Sequence, residues 1–572
     1  MDLLLFMNSL PITPKSKKSP GKVDTSVNHK LTNPYFQVLR LGHSMSQANY
    51  QTTYDEMPYV SYPYPQTHPD RLSTLARLFS VEAPDVENCS LLEIGCASGN
   101  NLIPIAYLLS KARLVGIDLS AKQIEEGYAE VTKLGLKNLD LRCQSILDFD
   151  ARGQQFDFII VHGVYSWVDN NCQEKILDIC NKTLTPNGIA YISYNVMPGW
   201  RMRGMLRDMM IYHVSKFNDR QSKIYQARAL LQFLANSVQG DKNPYGIFLQ
   251  SELELLRAQN DSYLYHEFLE ENNEPCYFHQ FVSRCEKHGL AYLGDSDPRT
   301  MSTRDMPEQA QKHLSQTISL VETEQYLDFI RNRMFRMSLI TRKGKQPIYS
   351  VNPSCVQNMH LSSPLTSNEP NLNILTTEQA SFTSQNGVVM GVGEPLLKAS
   401  LLVMQKAWPS SMPTMEVLEK ASAMLGLKLP TDEEALGQLV YQLGQMMVTA
   451  YTSMPIGSVE ITTRPIPGIT AISPKPKLFG FIANQAATLG AVTNIRHQII
   501  RVGDFEKAII NYLDGTHDQD FIVKALLELV KNQTITIQEN GSLATPERAE
   551  AVLRDRLKVT LELFVRCGLM EA

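Results

Sequence analysis

Leu91-Leu92-Glu93-Ile94-Gly95-Cys96-Ala97-Ser98-Gly99-Asn100 is an apolar run that turns through small residues into a helix-length segment. Glycine lets a backbone come close to a ligand, and the first turn of the following helix favours an anionic group such as a carboxylate. The next apolar run, Leu114-Val115-Gly116-Ile117-Asp118, ends in an acid 25 residues after Glu93. A carboxylate there can accept both hydroxyls of a ribose. The competing reading of Asp118 is a helix N-cap, a role for which Ser120 is the rival. Both features also suit NAD, but a dinucleotide fold needs G-x-G-x-x-G to seat a pyrophosphate, and the spacing Glu93-x-Gly95-x-Ala97-x-Gly99 differs from it.

Around this stretch, short apolar runs alternate with helix-length segments: LLEI, a helix near 99–110, ARLVGI, a helix near 120–134, LDLRC, FDFIIV, a helix near 171–183, and GIAYISY. That alternation predicts right-handed βαβ units and a parallel, doubly wound (Rossmann-like) α/β sheet. Residues 36–199 are read as this core and 200–275 as a helical insertion. Within 276–345, the pattern CYFHQFVSRCEKH, then GLAYLGD and QYLDFIRNRMFRMSLITRKG, supplies one more helix and two strands to complete the sheet. The Ser-, Asn-, Pro- and Thr-rich segment 346–390 is read as a linker. Residues 391–572 read as a mainly helical domain, in which DFEKAIINYL and HDQDFIVKALLELV flank Gly515 as a helix-turn-helix-like pair.

The 572 residues suffice for several cores. A net charge of -5 lacks the electrostatic footprint of a dedicated nucleic-acid binder. The acids Asp518, Asp520 and Glu528 make the last helix pair a poor surface for phosphates, so it is read as a docking module that suits a protein substrate or a homodimer, with no DNA partner. Nine scattered cysteines with no CxxC argue against a structural zinc site or a disulfide framework, and a reducing cytoplasm fits best. No metal ligand set is assigned. The opening MDLLLFMNSL is not read as a signal, and no run approaches the ~20 apolar residues a membrane span needs. Residues 1–35, with Lys15, Lys17, Lys18 and Lys22, are read as a flexible basic tail.

After the fourth strand, His162-Gly163-Val164-Tyr165-Ser166-Trp167 falls at the carboxyl edge of the sheet, where ligands bind. Tyr165 and Trp167 are candidates to border a substrate entrance, against plain packing under a loop; His162 is open between cofactor contact and a structural role. The Tyr- and Pro-rich segment 54–65, with Tyr54, is a candidate wall of the entrance. His68, with Asp55 and Glu56, is a candidate to orient a substrate amine, and no general base is assigned from spacing alone.

The Glu93-to-Gly99 loop resembles the E/D-x-G-x-G-x-G loop of class I methyltransferases, with Ala97 in place of the middle glycine. A wider set is similar to bacterial methyltransferases with a methyltransferase regulatory domain, rickettsial protein-lysine methyltransferases among them: Tyr54-Asp55-Glu56-x-Pro58-Tyr59, Thr67-His68-Pro69, LEIGCASGNNLIP, HGVYSWV, Gly289–Asp295, Asp328–Arg333 and Val492-Thr493-Asn494-Ile495-Arg496-His497. The resemblance implies a seven-stranded methyltransferase sheet and S-adenosyl-L-methionine as cofactor. It implies cofactor contacts at Glu93, Gly95, Ala97, Gly99, Asn100, Asp118, Leu119 and His162. Ser145 and Ile146 fall where such enzymes hold adenine, Ser145 replacing the usual acid. The reaction implied is methyl transfer to lysines of a surface or outer-membrane protein; a small molecule or RNA acceptor is the alternative.

Overall fold

The computed structural model describes residues 61–238, 243–384, 387–532, 535, 538–539, 542–543 and 546–571. Tyr54, Asp55, Glu56 and the basic tail lie outside these residues. Seven strands form one sheet in the order β3-β2-β1-β4-β5-β7-β6: β1 Ser90–Ile94, β2 Arg113–Asp118, β3 Leu139–Cys143, β4 Phe156–Val161, β5 Leu184–Asn195, β6 Leu290–Asp295 and β7 Phe335–Arg342. The first five run parallel, and β7 lies antiparallel between β5 and β6.

The runs are nearly continuously apolar because helices cover both faces. Alternate residues of one strand serve opposite cores: Leu91, Phe158, Ile160 and Tyr191 on one side, Leu92, Ile159, Val161 and Ile192 on the other. The first core continues without a break into the C-terminal region through Leu75, Leu361, Phe481 and Leu553. Helix α1 (Pro69–Leu78) precedes the sheet, α2 (Leu102–Leu108) follows the glycine loop, α3 (Ala121–Lys133) is capped by Ser120, and α4 (Asn170–Thr183) is capped by Asp169.

Between β5 and β6 the chain leaves the sheet as α5 (Trp200–Val214), α6 (Arg220–Ser237), α7 (Pro244–Arg257) and α8 (Asp261–Leu264), which share a core of their own around Leu206, Leu231, Leu249 and Phe268. It returns through α9 (Phe278–Lys287). After α10 (Glu308–Leu314), α11 (Leu320–Arg331) is tied to β7 by a buried ion cluster. There Arg336 meets Asp328 and Glu324, each at 2.8 Å, and its guanidinium lies 3.7 Å over the Phe278 ring. Paired charges of this kind tie the helix to the strand.

The segment read as a linker is structured instead. Strands β8 (His360–Ser362), β9 (Thr366–Ser367), β10 (Ala380–Thr383) and β11 (Val389–Val392) bury Leu361, Ala380, Phe382 and Val392, and Leu365 is buried between the first two. β8 pairs with β12 (Met412–Pro413) and β13 (Glu460–Thr462), so its partners lie far along the chain. Helices α12 (Pro395–Ala407), α13 (Thr414–Met424) and α14 (Glu433–Ser453) separate them. The last region holds α15 (Ile482–Leu489), the hairpin β14–β15 (Ala491–Thr493, Ile499–Arg501), α16 (Asp504–Ile510), α17 (Gln519–Lys531) and, closing the chain, α18 (Pro546–Cys567). Among the described residues no helix is long and apolar enough to cross a membrane.

Candidate cofactor and substrate site

The loop after β1 turns through three left-handed residues, Gly95 (φ +77°), Ala97 (+50°) and Gly99 (+75°). At Gly95 a side chain has no room: its Cβ would stand 2.4 Å from Val164 Cγ2. The amides of Gly95 and Cys96 both donate to Ile117 O, at 2.8 and 3.0 Å, which holds the loop against the end of β2. There Asp118 accepts from Ala97 N (2.8 Å) and from Ser120 N (2.9 Å). The rivalry for the α3 cap resolves to Ser120, whose hydroxyl accepts from Gln123 N. Asp118 instead has its carboxylate fixed between the two loops.

Glu93 is buried, and burial pushes its carboxyl up to about 8. Asn101 Nδ2 donates to its Oε1 at 2.8 Å, while Oε2 has no hydrogen-bond partner among the described residues. Asn100, the residue picked out in the sequence, bonds only locally to Ser98, and its neighbour Asn101 is the hub. Asn101 Oδ1 accepts from Tyr64 N (3.0 Å) and from His497 Nε2 (2.7 Å), and Nδ2 also reaches Thr67 Oγ1 (3.1 Å). Sequence reading missed Asn101, Thr67 and His497 as a group because they unite three distant segments. The runs LEIGCASGNN, THP and VTNIRH each contain one of them.

Leu119, 43% exposed, stands beside Asp118 as an apolar shelf. Ser145 Oγ accepts from Leu147 N at 3.2 Å within a local turn, and Ile146 packs against the core beneath it. On the β4 side His162 Nδ1 lies 2.9 Å from Tyr191 Oη and 3.3 Å from Ser193 Oγ. Burial lowers its pKa to about 4, so the ring is neutral near pH 7. Tyr64 lies against it at 3.8 Å between ring centroids, and the half-exposed Phe335 is edge-on at 6.3 Å.

Tyr165, a candidate for the entrance, and His68, a candidate to orient an amine, both have structural surroundings. Tyr165 is fully buried, its ring edge-on to Phe281 at 5.4 Å and to Tyr194 at 6.1 Å, so it packs beneath the loop and does not border an opening. His68 caps α1, its Nδ1 accepting from Asp70 N, and burial beside His497 and Arg464 holds its pKa well below the usual value. Its Nδ1 is committed to the helix end. Trp167 is half-buried and meets Trp200 edge-on at 6.2 Å, where the loop adjoins the middle helices.

These residues fit S-adenosylmethionine. A buried acid with an unpartnered oxygen suits a cationic amino-acid moiety, a fixed carboxylate after β2 suits ribose hydroxyls, and the Leu119 shelf suits a flat base. Family models agree: one described as a methyltransferase domain matches residues 85–262, a predicted methyltransferase regulatory domain matches 260–342, and a PKMT C-terminal winged helix domain matches 474–569. The protein RP789 of Rickettsia prowazekii is 38% identical over 496 residues, 85% of this chain and 88% of that protein. RP028 of the same organism is 42% identical over 249 residues, 44% of this chain and all of that protein. The structure of PKMT2 from Rickettsia typhi in complex with AdoHcy matches with a TM-score of 0.80 and 32% identity, over 90% of this chain and 100% of that one.

Proposed function

This chain belongs to the methyltransferase family of Rickettsia PKMT2, and from that membership we propose that it methylates lysine side chains of a protein. The observation that carries the reading is the extent of the likeness: it spans 90% of this chain, so it takes in the middle helices and the C-terminal region as well as the cofactor core. Dependence on S-adenosylmethionine follows from the core alone.

The cofactor supplies a methyl group already activated on a sulfonium. What the chain contributes is alignment, the main lever for an in-line displacement that needs no covalent enzyme intermediate. We assign Glu93, the Gly95–Gly99 turn, Asn101, Asp118, Leu119, Ser145 and Ile146 to holding the cofactor. Tyr64, His162, Phe335 and Trp167 form the acceptor side. His162, neutral and tethered to Tyr191 and Ser193, is a rigid flat support on which the Tyr64 ring is held.

An acceptor lysine must lose its proton before it attacks. From an ordinary value near 10.4 to pH 7 that costs roughly 4–5 kcal/mol, at about 1.36 per unit. An aromatic, desolvating wall lowers this cost because it disfavours the ammonium over the amine, and ring faces attract the cation first captured there.

The deciding experiment incubates the purified chain and S-adenosylmethionine with candidate surface proteins and follows intact mass, then maps the modified peptides. Mass gains in steps of one methyl group on lysine peptides support the reading. Methyl groups on other residues, or mass gain only in a small molecule or RNA acceptor, replace it.

A further inference from the structure

The Val492–His497 stretch lies in the C-terminal region, yet the last of its residues reaches the cofactor loop 396 positions away. It is presented on a stiff support. Asn494 Oδ1 accepts from the amides of Arg496 (2.9 Å) and Gln498 (2.8 Å), and its Nδ2 donates to Cys567 O (2.9 Å) at the end of α18. Arg496 is pinned by Glu460 (2.7 Å), by Pro409 O (2.7 Å) and by the Trp408 ring, 4.3 Å from the guanidinium. At the tip His497 takes a left-handed backbone, φ +60°, and is buried. A residue other than glycine is uncommon in that conformation, histidine less so than most, and here it turns the ring inward.

The bonds around Asn101 have a definite direction. A backbone amide can only donate, so the side-chain atom facing Tyr64 N is the Asn101 oxygen. His497 Nε2, which points at the same oxygen, therefore carries a proton and donates. Burial lowers the pKa of His497 to about 3, consistent with one neutral tautomer across the physiological range. The Asn101 amide nitrogen then has to face Glu93, donating to Oε1 and leaving Oε2 as the oxygen without a partner among the described residues.

We propose that His497 is a positioning residue of the cofactor site: through Asn101 it holds the Glu93 carboxyl in one orientation, so that cofactor affinity depends on the docked C-terminal region. The inference rests on the assignment of Glu93 to the cofactor site. A domain that serves only to recognise substrate has no need to donate a hydrogen bond to the cofactor loop, whereas this one closes a directed chain, His497 to Asn101 to Glu93, at its far end. Removal of the imidazole leaves the Asn101 oxygen with the Tyr64 amide but without its buried second donor, which loosens the amide that holds Glu93 and costs affinity without touching any reacting atom.

The test is calorimetric titration of S-adenosylhomocysteine into the full chain, which needs no turnover. Wild type is compared with His497→Ala, His497→Gln, Asn101→Ala, the His497→Ala/Asn101→Ala double variant and Glu93→Gln, with melting temperatures alongside. The loss of one buried donor predicts binding about tenfold weaker in His497→Ala, since ~1.4 kcal/mol is tenfold. Affinity should be largely restored in His497→Gln, whose amide offers an N–H, and the double variant should bind no worse than Asn101→Ala alone. Unchanged affinity in His497→Ala with a lowered melting temperature makes the contact mere packing and overturns the proposal, as do additive losses in the double variant. If Glu93→Gln also binds as wild type does, the placement of Glu93 in the site fails, and this inference falls with it.

Discussion

Two sharp turns meet at Asn101, and they bend by opposite means. The Gly95–Gly99 turn reaches the left-handed region with two glycines and an alanine, while the 494–498 turn reaches it with His497, which carries a full imidazole ring. In the first the backbone is stripped of side chains so that a ligand can come close; in the second a side chain is forced inward to meet a polar partner. The same backbone region thus serves to make room in one place and to fill it in the other. An empty turn depends on nothing being added, and a filled turn on nothing being removed.

The empty turn is the easier to break. Gly95→Val adds branched bulk where even a Cβ stands 2.4 Å from Val164, on a φ that L-residues avoid. It should lower stability by about 1–3 kcal/mol and reduce S-adenosylhomocysteine binding below detection, as a thermal melt and a titration will show. Asp118→Ala removes the acceptor of two amides that tie the turn to α3. Charge-assisted bonds lost together predict roughly a hundredfold weaker binding in the same titration.

Glu93, which the two turns share, sharpens the contrast through pH. Its folded pKa is raised to about 8 by burial, from an ordinary 4.5, so the folded chain keeps a proton that the unfolded chain gives up. The stabilising contribution is whole below about pH 4.5 and is lost as pH rises through 8. Between pH 6 and 9 the melting temperature of the ligand-free wild type should fall more than that of Glu93→Gln. The smallest effect belongs to Ser145→Ala. Its hydroxyl already accepts from Leu147 N, so affinity should change by about threefold or less.

Sequence reading and structure part company for physical reasons at identifiable places. The sheet was legible because its strands are buried on both faces and so appear as unbroken apolar runs bounded by capped helices. The glycine loop and Asp118 were legible because their geometry is local. The 346–390 segment was not, since its strands hold two to four residues each and β8 finds its partners at Met412–Pro413 and Glu460–Thr462. Too few apolar residues stand in any one strand to reveal a period. Tyr165 failed for a different reason: a position at the carboxyl edge of a sheet does not say which way a ring turns, and this one turns inward to Phe281. His497 could be quoted as part of a motif, but its partner at Asn101 belongs to another region of the chain, and spacing carries no information about such a meeting.

The helical insertion enters and leaves the sheet at one point. Val196 pairs with Cys276 in an isolated bridge, Met197 N donates to Cys276 O at 3.0 Å, and Cys276 N donates to Asn195 O at 3.3 Å. The helices between have their own core. A unit whose two ends already touch is a cassette: it can be lengthened, reshaped or exchanged for another without altering the register of the strands that carry it. Changes of length or shape within residues 198–275 are therefore absorbed by a core of their own, away from the strands that carry the cofactor loop.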